Sequence, residues 1–228
     1  MSDFNSLTAS ELGDKIGQGE IDPVELTEHF LSQIELSPIG KKIYSTITSQ
    51  LALEQAKESK RRADLGCRLS SLDGVPISWK DLFDIKGYPC EAGSELLAGR
   101  LANKNAKVYN FAEAHGLICL GKTHMSELAF SGLGLNPIRE TPPCVNYPGS
   151  VPGGSSSGAA TSVSFSLAAA GIGSDTGGSV RIPAAWNDLV GFKSTAGKLS
   201  LDGVVPLCSR FDTVGPLTKS VEDAARLF

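Results

Sequence analysis

Three segments of this 228-residue chain place hydroxyls, glycines and a lysine where they could do nucleophilic chemistry. They are GVPISWKD at 74–81, PGGSSSGA at 152–159 and GSDTGGSVRIP at 173–183. In the third, Ser179 follows two glycines. Consecutive N–H groups in such a turn can converge on an oxyanion because no side chain intrudes. A serine there is a candidate nucleophile, but it needs a base to take its proton.

The second segment contains GSSSG, which formally fits the nucleophile elbow of α/β-hydrolases. That architecture needs a histidine downstream of the serine. His29, His115 and His124 are the only histidines, and all lie upstream, so the elbow fails on this chain. The base must come from elsewhere. Lys80 follows Ile77 and Trp79 in an apolar setting. Burial disfavours the ammonium, so a buried lysine can be neutral and act as a general base. The competing role is a salt bridge to Asp81 or Asp84, both close in sequence.

The elements that must carry these segments follow from pattern. Thr8 and Glu11 have capping-box spacing, and Leu12 and Ile16 share a face behind them. Asp22 as N-cap, Pro23 at the first helical position and Glu25 start a second helix, with Val24, Phe30, Leu31 and Ile34 as its apolar stripe. A third helix is expected over 50–65, ending at Gly66. Residues 1–70 thus read as a helical segment. Residues 71–228 read as an α/β core in the same single domain, because residues 72–81 give a turn and a short buried strand, and a helix over 105–115 precedes the apolar run 117–121. Trp79 and Trp186 are assigned to the core. Ser220 and Asp223 open a last helix that continues to Phe228 without a C-cap.

Taken together, the three segments resemble the amidase signature family. The resemblance extends through GKTHMSELA at 121–129, VGFK at 190–193 and DTVGPLTKSVED at 212–223, and covers nearly all of the chain from about Leu7. It implies an α/β fold with a central twisted mixed sheet covered by helices, the carboxyl-terminal part of that sheet missing here. It further implies hydrolysis of a carboxylic-acid amide C–N bond by a Ser–cis-Ser–Lys triad. Ser179 matches the nucleophile, Ser155 the bridging serine after a cis Gly154–Ser155 bond, and Lys80 the base. Ser156 fits as a neighbour outside the triad. The backbone N–H groups of Thr176, Gly177, Gly178 and Ser179 would hold the oxyanion. Asp175 and Arg181 flank the nucleophile turn, where their charges are expected to brace it. Leu128, Gly132 and Asn136 lie where the resemblance places a wall of the substrate cleft, and His124 is read as structural.

Composition narrows the setting. A formal net charge of −4 argues against a nucleic-acid surface, and the cluster Lys60-Arg61-Arg62 is read as a solvated helix face. No window approaches the ~20 apolar residues of a membrane span. The amino terminus lacks the regions of a secretory signal. The five cysteines are odd in number and never form C-x-x-C, against disulfides and zinc and in favour of a reduced cytoplasmic setting. No metal or cofactor is expected, and the partner is a small-molecule amide, with room for a homo-oligomer or a complementing chain. Family members are considerably longer, so the expected triad is intact while turnover by this chain is expected to be weak. Two other readings stay open: the glutaminase subunit of a tRNA-dependent amidotransferase, from which LGLNP at 133–137 and TPPC at 141–144 depart, and an inactive truncated homologue.

Overall fold

The computed structural model describes residues 4–228; Met1–Asp3, part of the stretch read as lacking a leader, lie outside the described residues. The expected helix starts form as the capping rules require. Helix α1 (Ala9–Gly17) opens on Thr8 with both bonds of the capping box, and α2 (Pro23–Leu36) on Asp22, whose carboxylate accepts the Val24 N–H. After α3 (Gly40–Ile43) the chain forms strand β1 (Tyr44–Ile47), then α4 (Ser49–Asp64). The first 70 residues are therefore not purely helical. Four residues, too few for a periodicity to show, join the sheet through pairing with a strand over 70 positions away.

That sheet has six strands in the order β1, β3, β2, β4, β6, β5, with β2 (Pro76–Lys80), β3 (Ile118–Thr123), β4 (Ala170–Asp175), β5 (Val190–Gly191) and β6 (Thr213–Thr218). The central trio β3, β2 and β4 is parallel, and the flanking pairs are antiparallel. The α/β class and the mixed sheet are as expected. Every residue of β2, β3 and β4 is buried, which parallel strands covered on both faces require.

Helix α5 (Lys107–Ala114) returns the chain from β2 to β3, and α6 (Ser157–Ser164) lies on the opposite face. Pleating divides the two sides. Ser78 hydrogen-bonds Ser162 of α6 at 2.8 Å, while Trp79 turns the other way, edge-on to Phe83 and tilted against Tyr109 of α5. Helix α6 sits very close to the sheet because its own residues are small and β4 is glycine-rich: a Cβ on Gly173 would fall 2.6 Å from the Ser156 hydroxyl. Helices α7 (Arg181–Trp186) and α8 (Val221–Leu227) complete the fold, α8 capped by Ser220 on the Asp223 N–H as expected.

On the α5 side a groove of about 810 Å³ runs between α5 and α8. Trp79, Ile172 and Val214 form its floor, and Phe111, Leu227 and Phe228 its edges.

Two sequence expectations change. Trp186 is 41% exposed, because α7 is one and a half turns long and buries Pro183 and Ala184 instead. Arg62 does not decorate a solvated face: it grips the fully buried Asp73 carboxylate through two hydrogen bonds of 2.8 and 2.7 Å, while Lys60 and Arg61 pair along the surface of α4.

A second buried ion pair joins the ends of β2 and β3. Lys122 Nζ lies 2.7 Å from Asp81 and donates to the Pro89 carbonyl, with the lysine fully buried. Burial pushes the Asp81 carboxyl up, and Lys122 opposes that shift. Removing one partner leaves the other charge uncompensated, so Asp81→Ala should cost about 3–5 kcal/mol in urea unfolding. Adding Lys122→Met should recover most of that loss.

Candidate active site

The three parallel strands end together, and their carboxyl ends carry the chemistry, the edge where open α/β sheets place their sites. Lys80 closes β2, and the Ser174–Asp175 pair closes β4. Ser155 and Ser156 precede α6, and Ser179 lies in the turn between β4 and α7. Lys80 Nζ reaches Ser155 Oγ at 2.7 Å and Ser174 Oγ at 2.8 Å. The salt-bridge alternative is excluded by geometry. Asp81 is taken by Lys122, and Asp84 forms a two-bond pair with Arg100 at 2.7 and 3.0 Å. With no carboxylate in contact among the described residues, burial pulls the Lys80 ammonium down to about 7, against smaller opposing effects of Asp175 and Asp212.

The Gly154–Ser155 bond is cis. The segment before it is held by residues 132–133, whose carbonyls accept the N–H groups of Gly154 (2.8 Å) and Gly153 (3.0 Å). Gly154 must lack a side chain, since a Cβ there would lie 2.6 Å from the Gly134 nitrogen. On the other side, Ser156 donates its N–H to the Ser179 carbonyl (3.1 Å) and its hydroxyl to the Ser174 carbonyl (3.2 Å). The bridging-serine segment and the nucleophile turn are thus bolted together by main-chain contacts. Ser179 is 7% exposed, and among the described residues its hydroxyl has no hydrogen-bond partner.

Asp175 shapes the turn. Its buried carboxylate accepts the N–H groups of Gly178 (2.8 Å), Val180 (3.1 Å) and Arg181 (3.3 Å), and both oxygens take the Arg181 guanidinium. Burial alone would raise this carboxyl, but the guanidinium and the three amides outweigh it and hold it below the usual range. The bracing expected of Asp175 and Arg181 is present as geometry. Of the four amides expected to face an oxyanion, that of Gly178 is engaged by Asp175 in this structure, and those of Thr176, Gly177 and Ser179 are not among the donors to that carboxylate.

The cleft-wall residues divide. Leu128 adopts φ 47°, with its N–H on the Ala92 carbonyl at 2.9 Å, and Gly132 borders the bridging-serine segment. Asn136 is buried, and its amide is fully engaged. Nδ2 donates to the Gly93 and Met125 carbonyls at 2.8 and 2.9 Å, while Oδ1 accepts the Ile138 and Arg139 N–H groups. Its side chain therefore fastens loops and has no hydrogen-bonding capacity left for a substrate. His124 is buried with its basicity lowered chiefly by burial, and its main chain accepts from Gly158 and Ser157.

Two residues of the site carry no sequence expectation. Ser174 touches the Lys80 amine, and Asp212 accepts the Thr176 hydroxyl together with the Leu207 and Cys208 amides. The only sequence signal for Ser174 is a hydroxyl in a strand otherwise made of small residues ending in aspartate. The 810 Å³ groove is lined by none of Lys80, Ser155 and Ser179, so it is not the catalytic cleft. Among the described residues there is no cluster of metal-ligating side chains, and no helix is long and apolar enough to cross a membrane.

A family model described as Amidase matches residues 25–228. The A subunit of glutamyl-tRNA(Gln) amidotransferase from Acinetobacter baylyi is 37% identical over the whole chain, which covers 46% of that relative. The corresponding protein of Anaeromyxobacter dehalogenans is 40% identical over 94% of the chain and 44% of its own length. Among solved structures, the peptide amidase of Stenotrophomonas maltophilia superposes with a TM-score of 0.92 at 31% identity, over 99% of this chain and 47% of that one. The chain spans about half the length of the relatives it matches.

Replacing Asp175 by asparagine removes the charge that gathers five donors, each worth about 1.5–3 kcal/mol to a charged acceptor. Asp175→Asn should loosen the turn and slow covalent labelling of Ser179 at least tenfold, read with a fluorophosphonate probe, while the circular-dichroism spectrum stays unchanged.

Proposed function

The chain belongs to the amidase family, and we propose that it supplies the catalytic half of an enzyme that hydrolyses a linear carboxylic-acid amide through an acyl-serine intermediate. The observation that carries this reading is the 2.7 Å contact between Lys80 Nζ and Ser155 Oγ, made by a fully buried amine with no carboxylate in contact among the described residues. An amine titrating near 7 is a competent base at neutral pH.

In the proposed reaction neutral Lys80 takes the Ser155 proton as Ser155 takes that of Ser179. The Ser179 oxygen then forms a bond to the amide carbonyl carbon. The carbonyl oxygen becomes an oxyanion, for which the amides of Thr176, Gly177 and Ser179 are the available donors. The C–N bond breaks as the departing nitrogen receives the proton back through Ser155 from the Lys80 ammonium. Water, deprotonated by the same relay, cleaves the acyl ester and restores the Ser179 hydroxyl.

The second reading is a glutaminase component of an amidotransferase. It is favoured by 37% identity to one such protein over the entire chain, despite the departures at 133–144. Both readings use the same serine, and they separate on dependence: glutamine hydrolysis that appears only with added partner proteins selects the second. In either case the apolar groove between α5 and α8, with Phe111 67% exposed at its edge, supports a complementing polypeptide equivalent to the rest of the relatives' length.

Ser179→Ala should abolish fluorophosphonate labelling, and Lys80→Ala should reduce it by about 10²–10⁴-fold. Near-normal labelling of Lys80→Ala at neutral pH would defeat the relay. Because the base works as the free amine, the labelling rate should rise with pH through about 7 and then level off. Steady-state turnover of simple amides by the 228-residue chain alone should be weak even where Ser179 labels. Robust Ser179-dependent turnover would show that the complementing half is dispensable.

A further inference from the structure

A neutral lysine amine has one lone pair and two N–H bonds, and rotation about Cε–Nζ is nearly free. For the relay to run, the lone pair must face the Ser155 proton and nothing else. One contact to Ser155 cannot ensure this, since the amine could equally turn an N–H toward that oxygen. A second anchor is required, and one is in place. Ser174 Oγ lies 2.8 Å from Nζ. Ser174 is 5% exposed, and among the described residues its hydroxyl has no other hydrogen-bond partner. The other buried hydroxyls near the site are committed to main-chain or neighbouring groups: Ser78 with Ser162, Ser156 with the Ser174 carbonyl, Ser157 with the His124 carbonyl.

We propose that Ser174 is a positioning residue of the relay, accepting an N–H of Lys80 in both protonation states and so directing the lone pair at Ser155. The inference rests on the acyl-serine reading above and assigns Ser174 no contact with substrate. In the free-base state Lys80 donates to Ser174 and accepts from Ser155. After proton transfer the ammonium donates to both. The contact to Ser174 is present throughout, and it strengthens when the amine is charged. Ser174 also lies on the strand that runs directly into the nucleophile turn, so the same residue fixes the distance between the base and Ser179.

The test is the rate of fluorophosphonate labelling at Ser179 across pH 5–9, in the intact chain and in Ser174→Ala, Ser174→Thr and Ser174→Cys. Thr keeps the hydroxyl; Cys keeps the size but is a weak acceptor. Ser174→Ala and Ser174→Cys should label at least tenfold more slowly on the alkaline plateau. Their midpoints should fall by about half a pH unit or more, because the ammonium loses more than the free amine when an acceptor is removed. Ser174→Thr should restore both rate and midpoint. The proposal is overturned if Ser174→Cys matches the parent, or if Ala and Cys are slower with an unmoved midpoint, which a packing role alone would give. Failure of the underlying reading looks different: the parent chain itself would not label at Ser179, or would label equally well as Lys80→Ala, and the inference would fall with it.

Discussion

A primary amine held at the carboxyl end of β2, with no carboxylate in contact among the described residues, is the constraint around which the rest of this structure is arranged. Taking an ammonium out of water costs several kcal/mol unless a counter-charge compensates. Lys122, an equally buried lysine on the neighbouring strand, solves that problem by pairing with Asp81. Lys80 does not. It meets two hydroxyls, and its charge becomes weak enough to be surrendered near neutrality. The contrast lies within one sheet, and the nearby acids are engaged elsewhere: Asp81 with Lys122, Asp84 with Arg100, Asp175 with Arg181, and Asp212 with the Thr176 hydroxyl and the Leu207 and Cys208 amides.

The second requirement is closeness. The segments of Ser155 and Ser179 lie on opposite sides of α6 and β4 in the chain, and they approach each other because almost everything between them is small. Gly154 lets the bridging segment press on Gly134, and Gly173 admits the Ser156 hydroxyl. The Ser156 hydroxyl then bonds the Ser174 carbonyl, and its N–H bonds the Ser179 carbonyl. Asp175 adds order of a different kind, collecting amides that would otherwise splay and spending Gly178's on structure, so that only part of the turn remains for substrate.

Much of this was legible in the chain. The helix starts at Thr8, Asp22 and Ser220 were readable because a cap is a local event, decided by one side chain and an amide two or three residues on. The three motifs were readable because they are themselves local: two turns that need glycine, and a lysine flanked by apolar residues. What misled was context. Trp186 has the composition of a core residue, but its helix offers no neighbour to cover it. Arg62 sits in a basic run, yet a buried aspartate 11 positions away claims it. Strand β1 has four residues and is a strand only because β3 is there to pair with it.

The sequence by itself determined the family and picked out Lys80, Ser155 and Ser179 as candidates, since each depends on residue type and short-range spacing. Only the tertiary structure decided that Lys80 would be buried against two hydroxyls, that Asn136 would fasten loops, that Gly178 would serve Asp175 and that Ser174 would meet the Lys80 amine. These outcomes depend on burial and on which long-range partner arrives first at a given hydrogen-bonding atom. Neither quantity is a property of any one stretch of chain, because both are set when β2, β4 and the segment before α6 pack against one another.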